Sequence, residues 1–217
     1  MTVLPFRSAG DITGAIAPVR DHLSRGGLLA YPTETVYGLG SRPLVEDVGR
    51  LAQLKGRAAN KPFLLLVSGR SMAESYGLSF TSSATLLAEE FWPGPLTLVL
   101  RGGEGHLPDI LRGPEGGIAV RHTSHEGMAR LIVALGFALT STSANRPGGP
   151  PAPGAAGVAA AFADVVARGQ LLVLDGGVLG NVPPSTVLDC TVDPPMMVRE
   201  GALPRSELRR RAGSAAP

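Results

Sequence analysis

Short runs of continuous apolar residues alternate along the chain with longer segments in which apolar residues recur at helical spacing. The runs are typical of strands that are buried on both faces of a sheet. They predict strands at 28–31, 63–67, 96–100, 118–121, 137–140, 171–174, 186–188 and 197–199. The helical spacing predicts helices at 12–23, 44–54, 83–91, 124–135 and 155–168. This order predicts an α/β fold, a single-domain open twisted mixed sheet with flanking helices.

Length and composition agree with that architecture. The chain has 217 residues, 44% of them hydrophobic, which is enough for one domain with a sizeable core. Because no linker pattern divides the sequence, we expect one domain at 1–204, followed by a basic, flexible C-terminal tail at 205–217. The 29 glycines and 19 prolines fall between the apolar runs and predict many turns, including a mobile Gly-rich loop at 102–117.

The basic excess of the chain lies in that tail. Residues 205–217 hold four arginines and one glutamate, and residues 1–204 hold 16 basic and 17 acidic side chains. A nearly neutral body argues against a general nucleic-acid-binding surface but leaves a local basic cleft open. Only Lys55 and Lys61 among the 20 basic residues are lysines, and Arg57 lies between them. Their proximity is either a coincidence of composition or the sign of a site that needs a compact ammonium group.

Several classes of protein lack support in the sequence. The single cysteine, Cys190, rules out a disulfide framework, and we expect it to be a small buried residue. The longest apolar run, 131–139, is too short to span a bilayer, and no signal-peptide pattern is present, so we expect a cytoplasmic protein without membrane contact. The four histidines lack zinc-site spacing, and neither a phosphate-binding loop nor a nucleophile elbow occurs.

Polar clusters remain at the ends of the predicted strands. They are Thr33–Glu34–Thr35, Lys55 with Arg57, Arg121, the segment 141–145, Ser185 with Thr186, and Arg199. Cations and hydroxyls without a nucleophile–base pair suit the binding of anions and electrostatic transfer chemistry. Each cluster also has a surface explanation, since Arg121 could pair with Glu126, and Arg199 with Glu200. Their joint occurrence at strand ends favours a site.

In this order the clusters resemble the threonylcarbamoyl-AMP synthase family, which has a YrdC-like domain. The matching segments are YPTETVYGLG at 31–40, KGR at 55–57 with KP at 61–62, WPGPLT at 92–97, AVR at 119–121, SAN at 143–145, STV at 185–187 and VR at 198–199. Seven segments in one order, spread over nearly the whole chain, are far more specific than any one of them.

The resemblance implies a concave active-site face and an enzyme of the nucleotidyltransferase class. The reaction would convert L-threonine, bicarbonate and ATP, with Mg²⁺, into threonylcarbamoyl-AMP and pyrophosphate. A partner transferase would then move the threonylcarbamoyl group onto an adenosine beside the anticodon of tRNA. A carbamate that attacks the α-phosphate needs positioned anions and Mg²⁺ but no enzyme nucleophile, which agrees with the residue types present.

The same resemblance implies roles for individual residues. A catalytic group that holds ATP and the reacting carbamate would consist of Lys55, Arg57, Ser143 and Asn145. ATP would also contact Lys61 and Arg199. Threonine would be bound by Thr33, Thr35, Ser143 and Ser185, and its carboxylate by Arg121. No metal ligand and no role for Glu34 follow from the family pattern, and we expect Trp92 to be a buried, structural residue.

Two departures and two alternatives accompany this interpretation. The segment 64–66, Leu-Leu-Leu, stands where some family members carry a histidine, so that threonine contact has no counterpart here. Larger members add a C-terminal domain, whereas this chain ends soon after Gly201, as in a short, single-domain form. The alternatives are an RNA-binding module without catalysis, and a relative that forms a carbamoyl adenylate with another substrate. Pyrophosphate release that depends on threonine would separate the three.

Overall fold

The computed structural model describes residues 2–56 and 62–217. Within these residues, eleven strands form one sheet: β1 Val3–Pro5, β2 Leu28–Tyr31, β3 Gly38–Gly40, β4 Leu64–Leu66, β5 Leu78–Ser79, β6 Leu96–Gly102, β7 Ile118–Arg121, β8 Leu139–Ser143, β9 Leu171–Asp175, β10 Thr186–Asp189 and β11 Met196–Arg199. Eight helices accompany them: α1 Ala9–Ser24, α2 Val45–Leu54, α3 Arg70–Ser75, α4 Ser82–Phe91, α5 Glu126–Leu135, α6 Ala155–Ala161, α7 Ala163–Ala167 and α8 Arg205–Ala212.

The sheet is mixed, as the sequence predicts. Its strands follow the order β1-β9-β2-β3-β8-β4-β7-β6-β10-β11, and β5 pairs with β6 outside this path. The pairs β1–β9, β2–β9, β4–β7 and β6–β10 are parallel, and the other pairs are antiparallel. The predicted α/β class and mixed sheet are therefore confirmed. Among the described helices, none is long and apolar enough to cross a membrane.

The two faces of the sheet are covered by different helices. Alternate residues of a strand point to opposite faces, so Leu28 and Ala30 enter one core while Leu29 and Tyr31 enter the other. The first core contains residues of α2, α3, α4, α6, α7 and α8, and the second contains residues of α1 and α5. Because helices cover both faces of β2, all four of its residues are buried.

The face of the sheet that borders the second core also forms the floor of a cavity. In β6 and β7, Leu98 and Val120 point into the first core. Their neighbours Thr97 and Arg121 therefore point to the opposite face, where they line the cavity together with Ala119. The predicted concave face thus lies on the same side of the sheet as the second core, to which α1 and α5 contribute.

Several elements differ from the predictions for local reasons. The expected helix at 155–168 is divided at Phe162, the residue between α6 and α7, whose side chain is fully buried in the first core. Helix α5 is capped by His125, whose Nδ1 accepts from the Met128 amide at 3.3 Å, and not by Ser124. Strand β3 was not predicted because two of its three residues are glycines. A Cβ at Gly40 would lie 1.9 Å from the Thr140 carbonyl oxygen, so the close approach of β3 to β8 requires glycine.

The segment 205–217 differs from the flexible tail expected from its charge. It contains α8, whose Leu208 is fully buried in the first core. Arg211 donates to a Glu90 carboxylate oxygen at 2.6 Å and lies over the Phe91 ring. The apolar signal of this helix is one leucine among arginines, which explains why the pattern of the sequence did not reveal it.

Two single-residue predictions can be compared directly. Cys190 is buried as expected, and burial raises the pKa of its thiol to about 12. Trp92 is only partly buried, and its Nε1 donates to the Leu96 carbonyl at 2.7 Å. That bond holds the end of α4 close to the start of β6, which agrees with the structural role expected for Trp92.

Candidate active site

The cavity has a volume of about 350 Å³ and a lining of both polar and apolar residues. Its polar residues come from several strands and from the segments beside them: Thr33, Thr35, Thr97, Arg121, Ser141, Thr142, Ser143, Ser185 and Arg199. Every one of the predicted threonine-binding residues is in this set. The structure thus brings together side chains that are more than 150 positions apart in the sequence.

The turn after β2 fixes the two threonine hydroxyls. Thr33 Oγ1 accepts from the amides of Thr35 and Val36 at 3.2 and 3.3 Å, and it donates to the Val36 carbonyl at 2.8 Å. The Thr35 hydroxyl lies 3.1 Å from that of Thr33. Both residues are buried. The backbone of the turn orients the Thr33 hydroxyl, which in turn contacts that of Thr35.

Arg121 ends β7 and is almost completely buried, with 3% of its surface exposed. Its Nη1 donates to Thr35 Oγ1 at 3.3 Å and lies 3.6 Å from a Glu34 carboxylate oxygen. Nε has no hydrogen-bond partner among the described residues. Burial lowers the pKa of Arg121, and the nearby Glu34 carboxylate opposes that change. A buried guanidinium with an unused donor is suited to an anionic ligand.

The surface alternative for Arg121 is wrong. Glu126, the partner considered for it, lies on α5 and pairs with Arg130 at 2.5 Å. Both of those side chains are more than half exposed. Arg121 is instead inside the protein and faces the cavity.

Lys55, Ser143 and Asn145 form one network beside the cavity. Lys55 follows the end of α2, and its Nζ donates to the Ser143 carbonyl at 2.9 Å, to Asn145 Oδ1 at 3.1 Å and to the Asn145 carbonyl. The Ser143 hydroxyl donates to Asn145 Oδ1 at 2.6 Å. An ammonium group has three donors and no acceptor, so it is suited to this set of oxygen atoms. Ser143 lines the cavity, and Lys55 and Asn145 lie behind it.

Arg57 and Lys61 were also predicted to hold ATP. Both positions lie outside the described residues.

Ser185 and Arg199 meet at a third part of the cavity wall. Arg199 Nη2 donates to the Ser185 carbonyl at 2.8 Å, and the Ser185 hydroxyl lies 2.8 Å from that of Thr97. Partial burial lowers the pKa of Arg199. The Glu200 carboxylate, considered as its partner, accepts from the Arg205 amide. A hydrogen bond to the Ser185 backbone carbonyl, and not an ion pair, therefore orients Arg199 toward the cavity.

Sequence reasoning assigned no function to Thr97, Ser141 and Leu64, which all line the cavity. Thr97 is the only polar residue in the apolar run 96–100, and this interruption was the available signal. Ser141 belonged to a recognised polar cluster but had no role. Leu64 gives the cavity an apolar wall at the point where some family members were expected to have a histidine.

A larger cleft, of about 670 Å³, lies where α1, α2 and α7 end. It is rich in arginine, but two of its arginines, Arg146 and Arg168, share the Asp164 carboxylate at 2.9 and 3.1 Å. Arg50 pairs with Asp47 at 2.5 Å. Helix C-termini carry partial negative charge and favour cations. The charges of this cleft are therefore explained by the fold, and the smaller cavity is the better candidate for the active site.

The fold and the cavity define an α/β protein that can bind a small polar or anionic ligand on one face of a mixed sheet. Residues 21–201 match the model of the Sua5, YciO and YrdC family, described as Telomere recombination, and the chain belongs to this family. The predicted resemblance is thereby confirmed.

Individual relatives agree with the family. The threonylcarbamoyl-AMP synthase of Pyrococcus abyssi is 36% identical over 192 residues, which cover 88% of this chain and 55% of that protein. The enzyme of the same name from Chromohalobacter salexigens is 40% identical over 185 residues, 84% of this chain and 94% of that protein. The chain thus spans about half the length of the first relative and nearly all of the second.

A solved structure is similar over the whole chain. The crystal structure of Pyrococcus abyssi Sua5 complexed with L-threonine superposes with a TM-score of 0.85 at 33% identity. The match covers 99% of this chain and 62% of that protein. The sheet with its flanking helices is therefore the fold of that relative.

Proposed function

We propose that this protein is an L-threonylcarbamoyladenylate synthase. It would convert L-threonine, bicarbonate and ATP into threonylcarbamoyl-AMP and pyrophosphate. The observation that carries the proposal is the buried Arg121, which lines the cavity together with Thr33 and Thr35 and whose Nε has no hydrogen-bond partner among the described residues. Relatives that bear this enzyme name, and one that is complexed with L-threonine, support it.

The cavity suits threonine in three respects. The guanidinium of Arg121 can bind a carboxylate through two parallel hydrogen bonds. The hydroxyls of Thr33 and Thr35, and on the far wall that of Ser185, offer partners for the amino and hydroxyl groups. Leu64 supplies apolar surface for the methyl group. A ligand with a carboxylate, an amino, a hydroxyl and a methyl group would make more contacts in this cavity than a simple anion.

The Lys55–Ser143–Asn145 network is the proposed place for the reacting groups. The nucleotide would lie against this network, with Arg57 and Lys61 from the neighbouring segment and Arg199 from the opposite wall. Mg²⁺ would enter with ATP, since it prefers phosphate oxygens and water over a protein cage. Its chemistry is to withdraw charge from the phosphates during transfer.

The protein's own contribution is positioning and electrostatic stabilisation. The amino group of threonine and bicarbonate form a carbamate with loss of water. A carbamate oxygen then attacks the α-phosphorus of ATP, a P–O bond forms, and the bond from the α-phosphorus to the leaving pyrophosphate breaks. A cation held at Ser143 and Asn145 stabilises the charge that develops on the phosphate oxygens. No covalent enzyme intermediate is required. The product would then serve a partner transferase that modifies tRNA.

Pyrophosphate release tests this proposal. Purified protein with ATP, Mg²⁺ and bicarbonate should release pyrophosphate only after L-threonine is added, and chelation of Mg²⁺ should stop the release. Serine should be a poorer substrate, because a missing methyl group in a fitted pocket is worth about 1–3 kcal/mol. Equal release without an amino acid would contradict the proposal, and RNA binding without any release would favour the non-catalytic alternative.

A further inference from the structure

Glu34 occupies a different position from the threonines on either side of it. Thr33 and Thr35 line the cavity, whereas Glu34 does not. Its side chain is 15% exposed, and one carboxylate oxygen accepts from the Thr123 hydroxyl. The other oxygen is buried, lies 3.6 Å from Arg121 Nη1 and has no hydrogen-bond partner among the described residues. Glu34 therefore approaches Arg121 from outside the cavity.

Arg121 needs such a neighbour because a buried charge without compensation is costly. Glu34 is its ion-pair partner among the described residues. The separation of 3.6 Å exceeds that of a good hydrogen bond, so the charge is compensated while the donors are not consumed. Both partners retain an unused hydrogen-bonding atom.

We propose that Glu34 is the internal counter-ion of Arg121 and a specificity-determining positioning residue. It compensates the guanidinium while the cavity is empty, and it leaves the donors of Arg121 to the ligand. This inference rests on the proposed function, because it takes the carboxylate of threonine as the partner of Arg121.

A specificity follows from this arrangement. Any anion that reaches Arg121 also comes close to the negative charge of Glu34, which opposes its binding. A simple carboxylate has no other contact to offset that repulsion. Threonine is a zwitterion, so the attraction of Glu34 for its ammonium group offsets the repulsion of its carboxylate. Glu34 thus weakens the binding of small anions to Arg121, including the co-substrate bicarbonate, and favours the binding of an amino acid.

Glu34→Gln tests the role of the charge. Glutamine keeps the size and the acceptor for Thr123 but removes the negative charge. The matched control is Glu126→Gln, which removes the carboxylate of the exposed pair with Arg130 on α5. L-threonine and acetate are the two probes, and their dissociation constants are measured with each variant in the absence of ATP.

The proposal predicts that Glu34→Gln strengthens acetate binding, so that the ratio of threonine affinity to acetate affinity falls by about tenfold, a change that a purely structural role would not produce. Glu126→Gln should leave the ratio at its wild-type value. Glu34→Asp, which retains the charge, should keep most of the selectivity. An unchanged ratio in Glu34→Gln, or a weakened affinity for both ligands, would overturn the proposal.

Thermal stability gives a test that does not depend on threonine. Glu34→Gln should lower Tm more than Glu126→Gln does, because it leaves a buried guanidinium uncompensated. The double variant Glu34→Gln/Arg121→Gln should be more stable than Glu34→Gln alone, since it removes both charges. A double variant that is no more stable would overturn the counter-ion role. If these stabilities behave as expected while the wild-type protein fails to bind L-threonine, the proposed function fails and the counter-ion pair stands.

Discussion

Two recesses of this protein differ in what their charged groups do. The larger one, at the ends of α1, α2 and α7, has about twice the volume of the smaller and more arginines. Three of its four arginines, Arg50, Arg146 and Arg168, form ion pairs with aspartates. In the smaller cavity Arg121 is buried, loosely paired and has an unused donor.

This difference shows that volume and charge alone do not identify a site. A cation paired at a helix end is stabilised by the fold and gains little from a ligand. A buried cation with unused donors has a cost in the empty protein that a ligand can relieve. The polar groups of the smaller cavity are therefore available to bind a ligand, whereas those of the larger cleft stabilise the fold.

The largest effect is expected for Lys55→Ala. The substitution removes the ammonium that holds Ser143 and Asn145 and should lower kcat by roughly 10²–10³-fold, the range for the loss of a group that stabilises transition-state charge. The KM for threonine should change less. Steady-state pyrophosphate release measures both constants. A change confined to the KM for threonine would contradict the assigned role.

Arg50→Ala is the control for this variant, because it removes a cation from the wall of the larger cleft. Its kcat should remain close to that of the wild type. If Arg50→Ala lowered kcat as much as Lys55→Ala does, the functional distinction between the two recesses would be lost.

Arg121→Lys should have an intermediate effect. The charge remains, but the paired donors of the guanidinium are lost. The KM for threonine should rise about tenfold or more, because a hydrogen bond to a charged group is worth about 1.5–3 kcal/mol. ATP binding measured without threonine should be nearly unchanged. A wild-type KM would remove Arg121 from the threonine site.

Asp164→Asn should have the smallest effect. It removes the carboxylate that Arg146 and Arg168 share in the larger cleft, where all three side chains are about half exposed. Exposed pairs contribute little to stability. The values of kcat and of the KM for threonine should match those of the wild type in the same assay. A marked change in either value would mean that the larger cleft takes part in the reaction.

Much of the fold and of the candidate site could be predicted from the sequence. Strand β2 has the predicted bounds because its four apolar residues are buried on both faces. The residues expected to bind threonine line one cavity, since each stands in or beside a strand of the sheet. Family motifs supplied their roles, because sequence spacing alone cannot show that Thr33 and Arg121 are neighbours.

Other features depended on contacts that no local pattern reveals. The burial of Leu208 requires the docking of α8 on the first core, and α8 has no other buried residue. The role of Glu34 depends on Arg121 and Thr123, which reach it from a distant part of the chain. The same is true of Lys55, whose acceptors in Ser143 and Asn145 lie about 90 residues away.

The most direct test of the smaller cavity as the active site is a crystal structure of the protein with L-threonine and a non-hydrolysable ATP analogue. We expect threonine in the smaller cavity, with its carboxylate at about 3 Å from the Arg121 guanidinium. The nucleotide phosphates should lie against the Lys55–Ser143–Asn145 network. Ligand density in the arginine-rich cleft at the helix ends, with the smaller cavity empty, would contradict it.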